Sequence, residues 1–210
     1  MRVLIADDHA ALRKGLIQII SDAYPNTEFI EASNTPNTIK LLLQGQYDLV
    51  ILDIFMPGRS GLEVLHEAKG IKPSPPVLVL SSAPEDQMAI RVLKAGADGY
   101  LNKQAATEDL VLAVAKLVSG GRYVSSSLAE QLAGQLTTSD RPPHYTLSDR
   151  EYTVLQLLVS GKSIKEIAFE LSLSPKTVST FHSRIWEKLH VNNDIELFRY
   201  AIEHNLTDKR

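Results

Sequence analysis

The chain has 210 residues, 44% of them hydrophobic, with 22 Lys and Arg against 25 Asp and Glu and no cysteine. That length supports one large or two small buried cores, and the missing cysteine excludes disulfides, thiolate metal sites and cysteine nucleophiles. No run reaches the roughly 18 apolar residues of a membrane span, and Asp7 and Asp8 arrive before a signal-peptide core could form, so the sequence predicts a cytoplasmic protein with no membrane partner.

Over residues 1–120 five short apolar runs, at 2–6, 28–32, 49–52, 77–80 and 99–101, alternate with helical patterns near 10–21, 35–44, 61–68, 86–95 and 107–119. This fivefold alternation of strand and helix predicts an α/β domain built on a parallel sheet. After Gly120 and Gly121 the pattern weakens, and 137–144 is polar, proline-bearing and aperiodic, so 121–145 reads as a linker in which 127–136 can form a helix. From Leu147 onward there are helix starts but no strands. Ser148-Asp149-Arg150-Glu151 and Ser163-Ile164-Lys165-Glu166 have capping-box spacing, Ser174-Pro175 pairs a capping hydroxyl with a first-turn proline, and Asn193 begins a fourth helix. Only Ser172-Leu173-Ser174 separates the second and third of these helices, the short turn of a helix-turn-helix.

In an open parallel sheet the functional crevice lies at the carboxyl ends of the strands. There the first strand ends in Asp7-Asp8, the third in Asp53 and the fourth in Ser81-Ser82, while the fifth runs into Asn102-Lys103. Three clustered carboxylates repel one another unless a cation compensates them, and hard oxygen ligands with room for water suit Mg²⁺. A carboxylate is also a competent nucleophile toward phosphorus, with lysine as point charge and serine as donor to the phosphoryl oxygens. His9, with no cysteine or second histidine nearby, reads as a solvated helix-start residue and is assigned no role.

Asp7-Asp8, Asp53-Ile54-Phe55-Met56-Pro57-Gly58, Ser81 and Gly99-Tyr100-Leu101-Asn102-Lys103 resemble the receiver domain of response regulators over nearly all of residues 1–120. The resemblance implies a doubly wound, flavodoxin-like five-stranded sheet. In it Asp53 accepts a phosphoryl group from the phosphohistidine of a sensor kinase. Mg²⁺ is held by Asp8, Asp53, the Phe55 backbone carbonyl and, through water, Asp7. Lys103 pairs with the phosphoryl group, Ser81 swings toward it, and Tyr100 then turns inward to signal through the face of helix four, strand five and helix five. Gln104 stands where many receivers carry a cis-proline, and Ser82 where a smaller residue is common. Dehalogenase-like phosphohydrolases need an acid/base carboxylate two residues after the nucleophile. Phe55 occupies that place, so the expectation is a phosphoacceptor switch with at most slow self-dephosphorylation and no enzyme.

Residues 146–210 hold nine basic against nine acidic side chains, so any DNA affinity must come from a local stripe. Ile164, Ile167, Ala168 and Leu171, then Val178, Phe181, Ile185 and Leu189, have the spacing of two inward helix faces. Lys176, Ser179, Thr180, Ser183, Arg184, Glu187 and Lys188 then point outward. In the last helix, 194–204, Ile195, Phe198 and Ile202 read as core, with Leu197 and Ala201 left for a dimer partner; Trp186 and Tyr200 read as packing residues. Thr146-Leu147-Ser148-Asp149-Arg150-Glu151, Ile164-Lys165-Glu166-Ile167-Ala168 and Ser174-Pro175-Lys176-Thr177-Val178-Ser179 resemble the all-α helix-turn-helix domain of LuxR-type regulators. With the receiver in front, the whole chain resembles the NarL/FixJ group of response regulators: receiver 1–120, linker 121–145, DNA-binding domain 146–210. The resemblance implies a recognition helix over about Pro175–Leu189 on double-stranded DNA, with Ser179, Thr180 and Ser183 facing bases. Arg184 and Lys188 are the candidates for phosphate contacts, and a homodimer is expected on phosphorylation.

Overall fold

The computed structural model describes residues 1–56, 60–82, 85–105, 107–135, 142–204 and 206–207. Pro57, Gly58, Leu136 and the stretch 137–141 lie outside the described residues. The chain divides into two units, Met1–Leu132 and Ala133–Arg210.

The first unit runs β1 (Arg2–Ala6), α1 (Ala10–Ala23), β2 (Glu28–Ala32), α2 (Thr35–Gln44), β3 (Leu49–Asp53), α3 (Gly61–Gly70), β4 (Val77–Ser81), α4 (Glu85–Lys94), β5 (Gly99–Asn102) and α5 (Thr107–Val118). Its strands form one parallel sheet in the order β2-β1-β3-β4-β5. Strands β3 and β4 are buried along their whole length, as central parallel strands covered on both faces must be, whereas the edge strand β2 exposes Glu28 and Glu31. One face packs Val3, Ile5, Ile51, Leu78, Leu80 and Leu101 against Leu16 and Ile20 of α1 and Leu110, Val114 and Leu117 of α5. By strand alternation Leu4, Val50, Leu52, Val79 and Tyr100 face the opposite side, and all five are fully buried. The strand order reverses between β1 and β3, which opens a crevice where Asp7, Asp8 and Asp53 leave the sheet.

One glycine is required for that geometry. A Cβ on Gly61 would lie 2.5 Å from both the Cα and the carbonyl oxygen of Ile54, so only glycine lets the start of α3 close over the turn after Asp53.

The expected linker is shorter than 121–145. Tyr123 is buried in the α1/α5 core, its N–H donates to Asp98 O at 2.9 Å, and its carbonyl accepts the Tyr100 N–H at 3.3 Å. A helix, α6, follows at Ser126–Gln135, capped by Ser125. At the other end a 3-10 turn at Pro143–Thr146 buries His144, whose Nδ1 lies 2.9 Å from the Tyr200 hydroxyl. An apolar ring and an imidazole satisfied by tertiary partners anchor both ends, which a composition-based boundary does not register.

The second unit adds α7 (Asp149–Val159), α8 (Ile164–Glu170), α9 (Pro175–Leu189) and α10 (Asp194–Glu203). Both predicted capping boxes form, and Ser174 and Asn193 cap α9 and α10 through the Thr177 and Glu196 N–H groups. The α8–α9 turn places Ser172 at φ 54, with Leu173 N–H donating to Ala168 O and Ser172 N–H to Phe169 O, a left-handed helix stop that redirects the chain. Ile167, Ala168, Leu171, Val178, Ile185 and Leu189 are buried as expected, with Ile164 and Phe181 half-buried.

On α10 the expected faces are exchanged. Leu197 and Ala201 are fully buried, while Ile195 is 82% exposed, Ile202 65% and Phe198 37%. The helix carries two apolar stripes, and the one with a small residue, Ala201, lets it approach its neighbours closely. The bulkier stripe is left outside.

Glu151, the N3 residue of the α7 capping box, is buried. It accepts the Ser148 N–H at 2.7 Å and the Lys188 ammonium at 2.6 Å. Burial works against its charge, but Lys188 and Ser148 outweigh it and hold the carboxyl below its usual range. Glu151→Ala is expected to destabilise the second unit by about 2–4 kcal/mol, because it orphans a capped N–H and a partly buried ammonium. Equilibrium urea unfolding at neutral pH measures this. The wild-type advantage is complete above the ordinary glutamate pKa and vanishes as pH falls through the lowered one. A cost under about 0.5 kcal/mol would show that the pair is not structural.

Candidate functional site

Asp7 directly follows β1 and Asp53 ends β3, each almost fully buried, with Asp8 exposed beside them. Lys103, just past β5, reaches across the crevice, its Nζ 2.7 Å from Asp53 Oδ2 and 2.8 Å from Asp7 Oδ2. Asp53 Oδ1 accepts the Phe55 N–H at 2.9 Å, so both its oxygens are oriented. Arg13 Nη1 donates to the Asp7 carbonyl at 2.7 Å and Arg13 Nε to Glu31 at 2.8 Å, fixing the β1–α1 turn. Burial, partly opposed by Lys103 and reinforced by Asp7, raises the Asp53 pKa to about 6.

Ser81, at the end of β4, is fully buried, and its carbonyl accepts the Lys103 N–H at 3.0 Å. The side chain of Asn102 accepts the Gln104 N–H at 2.8 Å, a bond that a proline at that position could not make. Tyr100 is fully buried on the sheet face opposite α5, so it already occupies the inward position.

The donor set fits a divalent cation. One ligand atom from each of Asp7, Asp8, His9 and Asp53 lies within 4.8 Å of all the others, and three carboxylates share the site with a single lysine. His9 is exposed at the start of α1, as the sequence predicts, and its ring also turns toward the acids. Its ring Nδ1 is 2.8 Å from Asp8 Oδ1 and 3.2 Å from Asp7 Oδ1. Its position directly after two adjacent acids was the available signal.

On α9, Lys176, Ser179, Thr180, Ser183, Arg184 and Glu187 are exposed. The three hydroxyls donate to carbonyls four residues back: Ser179 to Pro175, Thr180 to Lys176 and Ser183 to Ser179, at 3.0, 3.0 and 3.1 Å. Their protons are turned into the helix, leaving oxygen lone pairs outward. Lys188 departs from expectation. Its ammonium is committed to Glu151 and to the Thr146 carbonyl, at 2.6 and 3.2 Å, so it braces α9 on α7. Helical periodicity places Lys188 on the outer face but does not show a buried carboxylate within its reach. Trp186 stacks edge-on with His182 at 4.7 Å and is half-buried, as a packing residue is.

The response regulator receiver domain family matches residues 3–115, and the luxR family of bacterial regulatory proteins matches residues 145–201. The chain belongs to the NarL/FixJ family of response regulators. Response regulator UvrY of Escherichia coli K12 is 33% identical over 208 residues, covering 98% of this chain and 95% of UvrY. Response regulator GacA of Pseudomonas aeruginosa is 33% identical over 210 residues, covering 99% and 98%. Among solved structures, RcsB of Salmonella enterica serovar Typhimurium bound to promoter P1flhDC in the presence of phosphomimetic BeF3⁻ has a TM-score of 0.72. It is 29% identical, with 95% of this chain and 97% of RcsB covered.

As a response regulator, the protein is a transcription regulator of a two-component system, with a receiver joined to a LuxR-type DNA-binding domain. The acidic crevice lies in the receiver and the helix-turn-helix in the DNA-binding domain. No helix among the described residues is long and apolar enough to cross a membrane.

Proposed function

We propose that this cytoplasmic protein accepts a phosphoryl group at Asp53 from the phosphohistidine of a sensor kinase, and that the phosphorylated protein binds double-stranded DNA as a homodimer. The observation that carries this reading is the Lys103 ammonium held between the buried Asp53 and Asp7 at the sheet's switch point. An Asp53 oxygen attacks phosphorus in line as the phosphorus–imidazole nitrogen bond breaks, forming an acyl phosphate. Asp8, Asp53, the Phe55 carbonyl and, through water, Asp7 would hold Mg²⁺, which supplies charge compensation for the incoming phosphoryl oxygens. Phosphorylation replaces the carboxylate charge that Lys103 now pairs with by charge on the phosphoryl oxygens, so the ammonium follows the charge to the phosphoryl group. The Lys103 N–H is bonded to the Ser81 carbonyl, so that shift couples the ends of β5 and β4. Tyr100 is already inward. Phosphorylation would hold that arrangement, with the Ser81 hydroxyl as an added donor. Phe55 offers no acid or base for hydrolysis, so self-dephosphorylation is slow and the switch is not an enzyme.

On DNA, α9 enters the major groove. Ser179, Thr180 and Ser183 present acceptors to base edges, while Lys176 and Arg184 meet phosphates. About two phosphate contacts per copy give weak binding, so joining two copies supplies the affinity. RcsB is bound to promoter DNA in its solved complex, which supports this reading.

Lys103→Ala tests the switch. It is expected to accept phosphate from acetyl phosphate and Mg²⁺, yet to show less than about a twofold change in DNA affinity on phosphorylation, where wild type gains on the order of a hundredfold. Fluorescence anisotropy on a genomically mapped site reads both. A wild-type-sized phosphate response in Lys103→Ala overturns the mechanism.

A further inference from the structure

Resting on the reading that α9 lies in the major groove, we propose that Glu187 reads sequence there, its carboxylate accepting a hydrogen bond from the N4 amino group of a cytosine in each half-site.

Glu187 stands on the base-facing line of the recognition helix. At about 100° per residue, Thr180, Ser183 and Glu187 fall within a sector of about 60°, opposite the buried Val178, Ile185 and Leu189. Arg184 is exposed about 60° to one side of Glu187, which turns it toward a groove wall while Glu187 keeps the direction of the two hydroxyls. From Thr180 to Glu187 the helix rises about 10 Å, the length of about three base pairs.

The carboxylate is also free. Glu151 and Glu170 pair with Lys188 and Lys162, and Glu166 and Glu196 accept backbone bonds at the starts of α8 and α10. The Glu187 side chain has no hydrogen bond or ion pair among the described residues, and Arg184, three residues earlier, does not neutralise it. Against a phosphate backbone an unpaired acid costs affinity, and a hydrogen-bond donor on the DNA offsets that cost.

The chemistry of the groove narrows the choice of donor. Cytosine N4 and adenine N6 are the only base donors there, while guanine and thymine present acceptors without a donor. Adenine carries the N7 acceptor beside its amino group, which repels a carboxylate oxygen, so cytosine is the base that fits. Thr180 and Ser183 give their protons to the Lys176 and Ser179 carbonyls and present lone pairs as well. The line from Thr180 to Glu187 therefore selects amino-bearing edges, with the charged acceptor at its end.

Selection from a random duplex library by the full-length protein, as wild type and as Glu187→Gln, gives the base preference at each position. Fluorescence anisotropy on the selected site gives the affinities. Wild type is expected to fix a cytosine in each half-site. Replacing that cytosine with 2-pyrimidinone, which lacks the amino group, should cost wild type about tenfold and Glu187→Gln less than about twofold. In the Glu187→Gln selection the cytosine preference should be lost, with adenine gaining because glutamine pairs with its N6 and N7. Glu187 is exposed and unpaired, so the variant should keep the wild-type urea midpoint. If Glu187→Gln tightens binding to all sequences alike and keeps the wild-type preferences, the carboxylate only repels phosphates, and the proposal is overturned. Unchanged affinity and preference overturn it equally. If Arg184→Ala and the triple variant Ser179→Ala, Thr180→Ala, Ser183→Ala also bind and select as wild type does, α9 is not in the groove, and the reading beneath the proposal fails with it.

Discussion

Asp53→Asn is expected to take up no phosphoryl group and, at pH 7 in a chelator, to be more stable than wild type. Both outcomes have one cause. Asp53 is about 2% exposed, and burial raises its pKa from 3.8 to about 6, with Lys103 offsetting part of the cost and Asp7 adding to it. The folded protein therefore binds this proton more tightly than the unfolded chain does. The stability penalty of the ionised carboxylate is absent below about pH 4, grows between about 4 and 6, and is complete above 6. A shift of about two units, in which the attraction of Lys103 is already counted, is worth on the order of 3 kcal/mol, so a gain of up to about that size is expected. Urea unfolding at pH 7 and pH 4.5 measures it, with the advantage shrinking at the lower pH. Mg²⁺ should narrow the gap by stabilising wild type alone. Phosphate labelling equal to wild type, or a less stable variant at pH 7, would show that the pocket is not a strained anionic acceptor.

Ile202→Glu should abolish dimer formation and lower affinity for a two-half-site operator by a hundredfold or more, with the fold unchanged. Ile195, Phe198 and Ile202 form the outward apolar stripe of α10, and within one copy Ile195 and Ile202 remain mostly in water. A second copy presenting the same stripe would bury all three residues on each side, in the self-complementary manner of a two-fold contact. Each half-site is expected to bind weakly alone, and joining two such modules would multiply affinity by about 10²–10⁴ without new DNA contacts. Leu197→Glu is the contrasting variant: Leu197 is fully buried, so that substitution should unfold the domain. Sedimentation velocity on the phosphorylated protein and footprinting measure the two effects. If Ile202→Glu still protected both half-sites at wild-type concentration, the outer face of α10 would not be the dimer contact.

Much of this protein is decided locally. The five strands fall where apolar runs lie; the central β3 and β4, covered on both faces, must be apolar almost throughout, while the edge strand β2 alternates with exposed glutamates. The capping residues Ser148, Ser163, Ser174 and Asn193 act within one helical turn, and so their sequence spacing suffices to locate four helix starts. Asp7, Asp8, Asp53 and Lys103 could be assembled on one rim because strand ends in such a sheet converge by topology alone.

What sequence did not decide depends on long-range partners. Lys188 faces outward by period, but its charge is bound to Glu151, 37 residues away in sequence. Tyr123 lies past the last predicted receiver helix, yet pairs with the edge of β5. On α10 periodicity offers two apolar stripes and no means of choosing, and close approach favours the one containing Ala201. His9 was separated from its acids by the absence of a second nitrogen ligand, whereas the folded turn brings its ring within 3.2 Å of both. The sequence by itself thus determined the elements and the crevice, since backbone hydrogen bonding and side-chain period act over a few residues. The tertiary structure alone decided which charges are spent internally and which apolar stripe is left in water, because those outcomes depend on distances between residues far apart in the chain.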